Sequence, residues 1–163
     1  MRLPLAVLLL VAGTAASAQP PAPNRCAAPE HRQFDFWVGD WRVTTPDGKH
    51  AGDNTIEKIL DGCVLHENWR GASGGRGYSY NAYDAVRKVW HQTWVDRNGG
   101  VLLLDGAFKD GSMVLEGAQG TTLNRITWTP NKDGTVRQLW EASTDQGKSW
   151  QVAFDGLYRR KST

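Results

Sequence analysis

The sequence predicts an all-β protein whose folded part is one antiparallel up-and-down barrel of about ten strands. From Asp40 onward, short runs of β-forming residues alternate with turn sequences such as PDGK, NGG and KDGS. These turns favour hairpins, and closing the sheet removes its exposed edges. No segment with helical periodicity follows the N-terminal apolar run, apart from one turn at residues 29–38.

The turn sequences divide the chain into ten predicted strands of similar length. They are residues 40–46, 53–60, 63–70, 77–84, 89–97, 101–108, 112–118, 122–129, 135–143 and 149–158. Each strand is joined to the next by a connection short enough for a hairpin, so neighbours in sequence are expected to be neighbours in the sheet.

The N-terminal 18 residues have the composition of a secretory signal peptide. Arg2 precedes an apolar run at residues 3–12, which is too short to span a bilayer, and small residues end at Ala18. We predict cleavage after Ala18, a proline- and alanine-rich tether at residues 19–33, and a barrel domain at residues 34–160. The mature protein is expected in the periplasm or outside the cell, without stable membrane insertion.

The charge of the chain argues against a nucleic-acid partner, and its two cysteines indicate a disulfide. The net charge is +2, and no basic stripe precedes the C-terminal Arg159-Arg160-Lys161, so nucleic acid is not an expected partner. In an oxidising compartment the two cysteines, Cys26 and Cys63, are expected to form a disulfide. The alternative is two buried thiols.

Hairpin geometry indicates which side chains face the lumen, because residues opposite each other across a turn share a face. A three-residue loop at NGG places two tryptophans of the fifth strand inside, whereas a two-residue loop places them outside. We favour the inside, because several exposed aromatic residues on one face would be a liability. The predicted ligand-contacting residues are Asn54, Glu67, Trp69, Ser79, Asn81, Tyr83, Trp90, Gln92, Trp94, Asn124, Trp128, Arg137 and Glu141; Trp150 is also placed inside. Gln138 is placed on the outer face, with Trp140 as an apolar exception there.

So many polar residues among tryptophans predict a ligand-holding cavity, because unpaired buried polar groups are costly. Arg137, Asn81 and Gln92 would orient a carboxylate or carbonyl of an apolar or aromatic small molecule. An internal network in which Arg137 bridges Glu67 and Glu141 is the structural alternative.

Two further functions remain open at this point. The same cavity could serve a cofactor-independent isomerase, lyase or cyclase, with Glu67 or Glu141 as the acid–base residue and Glu67 preferred as the base. The protein could also be a structural component of the envelope. No cofactor or metal is expected, because the four histidines are scattered and His66 and His91 are placed on the outer face.

Gly39-Asp40-Trp41 resembles the Gly-x-Trp that opens the first strand of calycins, the superfamily of lipocalins and fatty-acid-binding proteins. The resemblance implies that Trp41 closes one end of the barrel and that a cation from the last strand lies across it. Arg159 or Arg160 occupies the corresponding place in the sequence. The related-looking nitrobindin barrels bind haem through a late histidine, and here no histidine follows His91.

More specifically, residues 34–160 resemble a family of exported bacterial domains that open with F-D-F-W-x-G-x-W. The resemblance rests on the opening FDFWVGDW and continues through Gly62-Cys63, Glu67-x-Trp69, Ser79-x-Asn81-x-Tyr83-Asp84, Trp90-x-Gln92-x-Trp94-Val95-Asp96 and Arg137-Gln138. It implies a lipocalin-like barrel and no particular activity.

Overall fold

A computed structural model describes residues 26–162 and places ten antiparallel strands in one closed barrel. Strand order follows the sequence, and the first strand pairs with the last to close the sheet. The strands are β1 Gly39–Thr44, β2 His50–Ile59, β3 Val64–Gly71, β4 Arg76–Asp84, β5 Val89–Asp96, β6 Val101–Lys109, β7 Ser112–Gln119, β8 Thr122–Pro130, β9 Val136–Ser143 and β10 Gln151–Arg160. The predicted all-β barrel is confirmed, because hairpin turns and alternating burial act together along nearly the whole domain.

An aromatic plug closes one end of the barrel. The 3₁₀ turn Asp35–Trp37 brings Phe34 and Trp37 into the lumen, where both are fully buried and stack with ring centroids 4.9 Å apart. Trp37 also packs on Trp128, with centroids 5.3 Å apart. The Nε1 of Trp41 donates a 2.8 Å hydrogen bond to the carbonyl of Trp37. The dense aromatic segment at residues 34–41 therefore forms the aromatic plug at the closed end of the barrel.

Gly39 and Arg160 complete this closed end. The guanidinium of Arg160 lies over the Trp41 ring, 4.4 Å from its centroid, and Nη1 donates to the Val38 carbonyl. A Cβ on Gly39 would overlap this guanidinium, and its φ of 141° also favours glycine. Of the two candidate cations, Arg159 is therefore the wrong one. Strand alternation turns Arg159 outward, because Tyr158 before it is buried inside.

The segment before the plug packs against the barrel instead of forming only a tether. Cys26 and Cys63 form the predicted disulfide, with Cα atoms 5.1 Å apart. A 3₁₀ turn at Pro29–Arg32 buries His31 against the ring of Tyr83, with centroids 5.3 Å apart. The predicted signal peptide and residues 19–25 lie outside the described residues. Within residues 26–162, no helix is long and apolar enough to cross a membrane.

The β5–β6 connection settles the orientation of the tryptophans on β5. Asp96 donates its N–H to the carbonyl of Gly100, which leaves a three-residue loop at residues 97–99. Trp94 consequently pairs with Leu102 and faces the lumen, as predicted.

The β8–β9 connection differs from the prediction by one residue. A three-residue loop at residues 132–134, closed by a 2.8 Å hydrogen bond from the N–H of Asn131 to the carbonyl of Thr135, pairs Trp128 with Gln138 instead of Arg137. This shift turns every side chain of β9 to the opposite face. Arg137 lies outside, where it donates to Asp155 at 2.9 and 2.7 Å.

Glu141 and Trp150 are also placed outside the lumen, contrary to prediction. Glu141 accepts hydrogen bonds of 3.2 and 3.1 Å from Arg125 on the outer face. Trp150 precedes β10 and packs under the guanidinium of Arg125, which lies 4.2 Å from the ring centroid. A register shift between Val152 and Phe154 then returns Phe154 to the inside.

Candidate ligand-binding site

The lumen above the aromatic plug contains a cavity of about 210 Å³. Its lining residues are Glu67, Trp69, Gln92, Trp94, Leu102, Ile126, Trp128, Gln138, Trp140, Ala153, Phe154 and Tyr158. Those toward the open end are partly or fully exposed, whereas Glu67, Gln92, Trp128 and Tyr158 are buried. The cavity therefore has an aromatic mouth and a polar floor.

The mouth is kept open because two of its tryptophans lie against the barrel wall. A Cβ on Gly52 would lie 2.7 Å from the ring of Trp69. A Cβ on Gly77 would overlap the ring of Trp94. Both rings thus occupy the space of a missing side chain on a neighbouring strand, and the Trp69 ring also makes a T-shaped contact with Phe154, with centroids 5.9 Å apart.

The polar floor is a chain of hydrogen bonds that ends on the carboxylate of Glu67. Gln92 Nε2 donates to Asn81 Oδ1 at 2.7 Å, and Asn81 Nδ2 donates to Ser79 Oγ at 2.8 Å. Ser79 Oγ donates to Glu67 Oε2 at 2.6 Å, and Asn54 Nδ2 donates to Glu67 Oε1 at 2.7 Å. Every donor in this chain points toward Glu67, so the network supports a negative charge at that position.

Tyr158 extends the floor on the opposite side of Asn54. Its hydroxyl donates to Gln138 Oε1 and accepts a 3.3 Å hydrogen bond from Asn54 Nδ2. Burial, together with the nearby charge of Glu67, raises the pKa of Tyr158 well above its usual value. The phenol therefore stays protonated and acts as a fixed donor.

Burial raises the pKa of Glu67 from 4.5 to about 7, against the opposing effect of hydrogen bonds from Ser79 and Asn54. No lysine or arginine is among the residues that line the cavity in the described chain. The cation that the sequence suggested for this role, Arg137, is on the outer face. Glu67 is consequently a buried carboxyl group without an ion-pair partner among the cavity residues. It is partly protonated near neutral pH.

The raised pKa of Glu67 predicts an unusual pH dependence of stability. Between its ordinary pKa of 4.5 and about 7, the folded protein holds a proton that the unfolded chain has released. The stabilisation that this proton gives to the folded state is fully present below pH 4.5. It is lost as pH rises toward 7, and the free energy of unfolding falls by about 3 kcal/mol over that range. Urea denaturation of wild type and Glu67→Gln across this range should show the loss only in the wild type.

Glu141→Gln is the matched control for that measurement, because it makes the same chemical change on the outer face. We expect this variant to retain the wild-type loss of stability between pH 4.5 and 7. An identical pH profile for wild type and Glu67→Gln would contradict the assignment of a raised pKa to Glu67.

Most of the residues predicted from sequence face the lumen, but only some line the cavity. Asn54, Ser79 and Asn81 form the buried network beneath it. Tyr83 and Trp90 lie at the closed end and contact each other, with centroids 6.2 Å apart.

Seven cavity residues are absent from the predicted set: Leu102, Ile126, Gln138, Trp140, Ala153, Phe154 and Tyr158. The sequence analysis placed Trp140 on a face predicted to be exposed to solvent, where it was the one large apolar side chain. That exception was the signal in the sequence that the register of β9 was predicted wrongly by one residue. In the structure Trp140 Nε1 donates a 2.8 Å hydrogen bond to Asn124 Oδ1, which links two inward side chains.

No grouping of three or more potential metal ligands occurs within residues 26–162. His66 lies on the outer face, as predicted, and stacks on Tyr78 and Tyr80. His91, also on the outer face, contacts Asp105 at 2.7 Å.

Comparisons with known proteins leave the site as the main guide to function. No protein-family model matches the chain, and a search of curated proteins finds no significant match.

Proposed function

We propose that this protein is an exported small-molecule-binding barrel that holds its ligand in the cavity above the aromatic plug. The observation that carries the proposal is the combination of an open aromatic mouth with a buried hydrogen-bonded carboxyl group at the floor. Small-molecule sites are usually built in this way, with apolar walls and a few polar groups that fix orientation. A cavity of about 210 Å³ fits a ligand with a single ring or a short chain.

The ligand chemistry differs from the one that the sequence suggested. A carboxylate-bearing ligand would need a cation inside, and Arg137 is bonded to Asp155 on the outer face. The floor instead presents the oxygens of Glu67. These acceptor oxygens favour a ligand whose polar end donates hydrogen bonds.

Export is part of the proposal and rests on two supports. The Cys26–Cys63 disulfide is typical of proteins in oxidising compartments outside the cytoplasm. The N-terminal sequence has the order of charged, apolar and small residues found in signal peptides. The resemblance to calycins and to the exported domains that open with F-D-F-W-x-G-x-W stays a prediction that points the same way.

Native mass spectrometry tests the binding proposal directly. We expect protein purified from its own cells without detergent to carry a discrete extra mass that is lost on denaturation. Ala153→Trp fills the mouth of the cavity and should abolish this mass, because Ala153 is an exposed residue on the cavity lining. Val152→Trp adds the same side chain next to it on the outer surface and should keep the mass. An apo mass for the wild type, or retention in Ala153→Trp, would contradict binding in this cavity and favour a purely structural barrel.

An acid–base enzyme is the second candidate, and the pKa of about 7 at Glu67 favours it specifically. A carboxyl group that titrates near neutral pH beside a cavity can both remove and return a proton. The same spectra distinguish the two functions. An enzyme would hold product in the wild type and substrate in Glu67→Gln, so the bound masses or their fragmentation would differ, whereas a carrier would hold one compound in both.

A further inference from the structure

The cavity has one charged group and that group is negative. Glu67 is the only carboxyl group among the described residues that line it, and none of these residues is lysine or arginine. The other titratable side chain facing Glu67 is Tyr158, which stays neutral because burial raises its pKa. An anionic ligand would therefore meet a like charge with no compensating cation, and a cationic ligand would meet an unpaired carboxylate.

The hydrogen-bond network below the cavity also supports the ionised form of Glu67. Asn54 Nδ2 donates to Glu67 Oε1 at 2.7 Å, and Ser79 Oγ donates to Glu67 Oε2 at 2.6 Å. Each carboxylate oxygen therefore accepts one hydrogen bond from the network. A carboxylate accepts about four hydrogen bonds, so further acceptor positions remain on the cavity side. An ammonium group carries only donors and matches these positions.

The walls above Glu67 suit a cation as well. Trp69, Trp94 and Trp140 line the mouth. The Trp69 and Trp94 rings pack closely against glycines of the neighbouring strands. The face of an indole ring attracts a positive charge, more strongly where water is excluded. A cation entering the cavity is therefore attracted by the walls before it reaches the carboxylate.

We propose that the ligand of this barrel is a small organic ammonium ion, with its charged group against Glu67 and its apolar body among the mouth tryptophans. This inference rests on the proposed binding function and names its ligand class. It reverses the carboxylate preference that an inward Arg137 would give.

Three probes of nearly equal size test the inference: 2-phenylethylamine, 2-phenylethanol and phenylacetate. Isothermal titration at about pH 8.5 keeps the amine protonated and Glu67 ionised, since a primary amine titrates near 10. We expect the amine to bind at least about tenfold more tightly than the alcohol, with phenylacetate weakest. Glu67→Gln should remove the preference for the amine and leave the alcohol within about threefold of wild type.

Glu141→Gln serves as the control for net charge, because it removes one carboxylate from the outer face. It should leave the preference for the amine unchanged. A preference lost equally in both variants would assign it to the overall charge of the protein and overturn the inference.

The other outcomes separate this inference from the binding function itself. If the alcohol or phenylacetate binds as tightly as the amine, the cavity binds ligands but the ammonium assignment is wrong. If no probe binds to folded wild-type protein, the assignment fails, and the mass measured by native spectrometry decides the binding function separately. If Glu67→Gln does not fold, the order of the three affinities in the wild type alone decides the assignment.

Discussion

Trp37→Ala should lower the free energy of unfolding by about 3–5 kcal/mol. The ring of Trp37 is fully buried, stacks on Phe34 and packs on Trp128 in the aromatic plug. Its removal leaves a void that surrounding rings cannot fill, because the closed strands hold their positions. Urea denaturation of the oxidised protein, followed by circular dichroism, measures the loss.

Trp150→Ala is the matched control, because it removes the same ring from the outside of the barrel. Trp150 is partly exposed and packs under Arg125, so we expect a loss of only about 1 kcal/mol. If Trp37→Ala were no more destabilising than Trp150→Ala, the aromatic plug would not be a main element of the core.

Replacing both cysteines with serine should lower the free energy of unfolding by about 4 kcal/mol in the chain-entropy account. The Cys26–Cys63 bond closes a loop with a sequence separation of 37 residues, which includes the plug and the first two strands. The unfolded chain gains conformational freedom when this loop opens. The difference is measured by urea denaturation of the double variant and the oxidised wild type.

Reduction provides an independent route to the same state. Wild-type protein treated with a phosphine reductant should unfold at the urea concentration that unfolds the double variant. A double variant within about 1 kcal/mol of the oxidised wild type would show that the disulfide contributes little to the fold.

The sequence was sufficient to predict the fold because independent features agreed along it. Turn sequences such as KDGS fixed where hairpins lie, and alternation fixed which side chains share a face. On β5 the NGG turn left the orientation open, and the choice that avoided exposed aromatic residues placed Gln92 inside, where it is buried together with Glu67 of β3 and Ser79 of β4. The Asp145 carboxylate illustrates local turn chemistry, since it accepts hydrogen bonds from Ser149 within the β9–β10 connection.

The half of the site contributed by β9 could not be predicted, for two physical reasons. First, the PNKDG turn allows two loop lengths that differ by one residue, and one residue exchanges the two faces of a strand. Second, the register shift near Val152 depends on how the closed barrel fits together, which no local pattern records. The first moved Arg137 outward and brought Gln138 inward, and the second keeps Phe154 of β10 facing the lumen beside the shifted β9.

This exchange has a direct consequence for ligand chemistry. With Arg137 inside, the cavity would have contained an ion pair and selected carboxylates. With Arg137 outside, the remaining inward charge is that of Glu67. The proposed ligand class thus depends on the number of residues in one loop.

The most direct test of the central claim is a nuclear magnetic resonance titration that follows the eight tryptophan indole N–H signals. The probes are 2-phenylethylamine and 2-phenylethanol, and single Trp→Phe variants assign the signals. If the cavity binds small molecules, the signals of Trp69, Trp94 and Trp140 should shift with a saturable dependence on probe concentration. The signal of Trp150, which lies outside the lumen under Arg125, should stay in place. Shifts confined to Trp150, or none at saturating probe, would contradict a ligand-binding lumen.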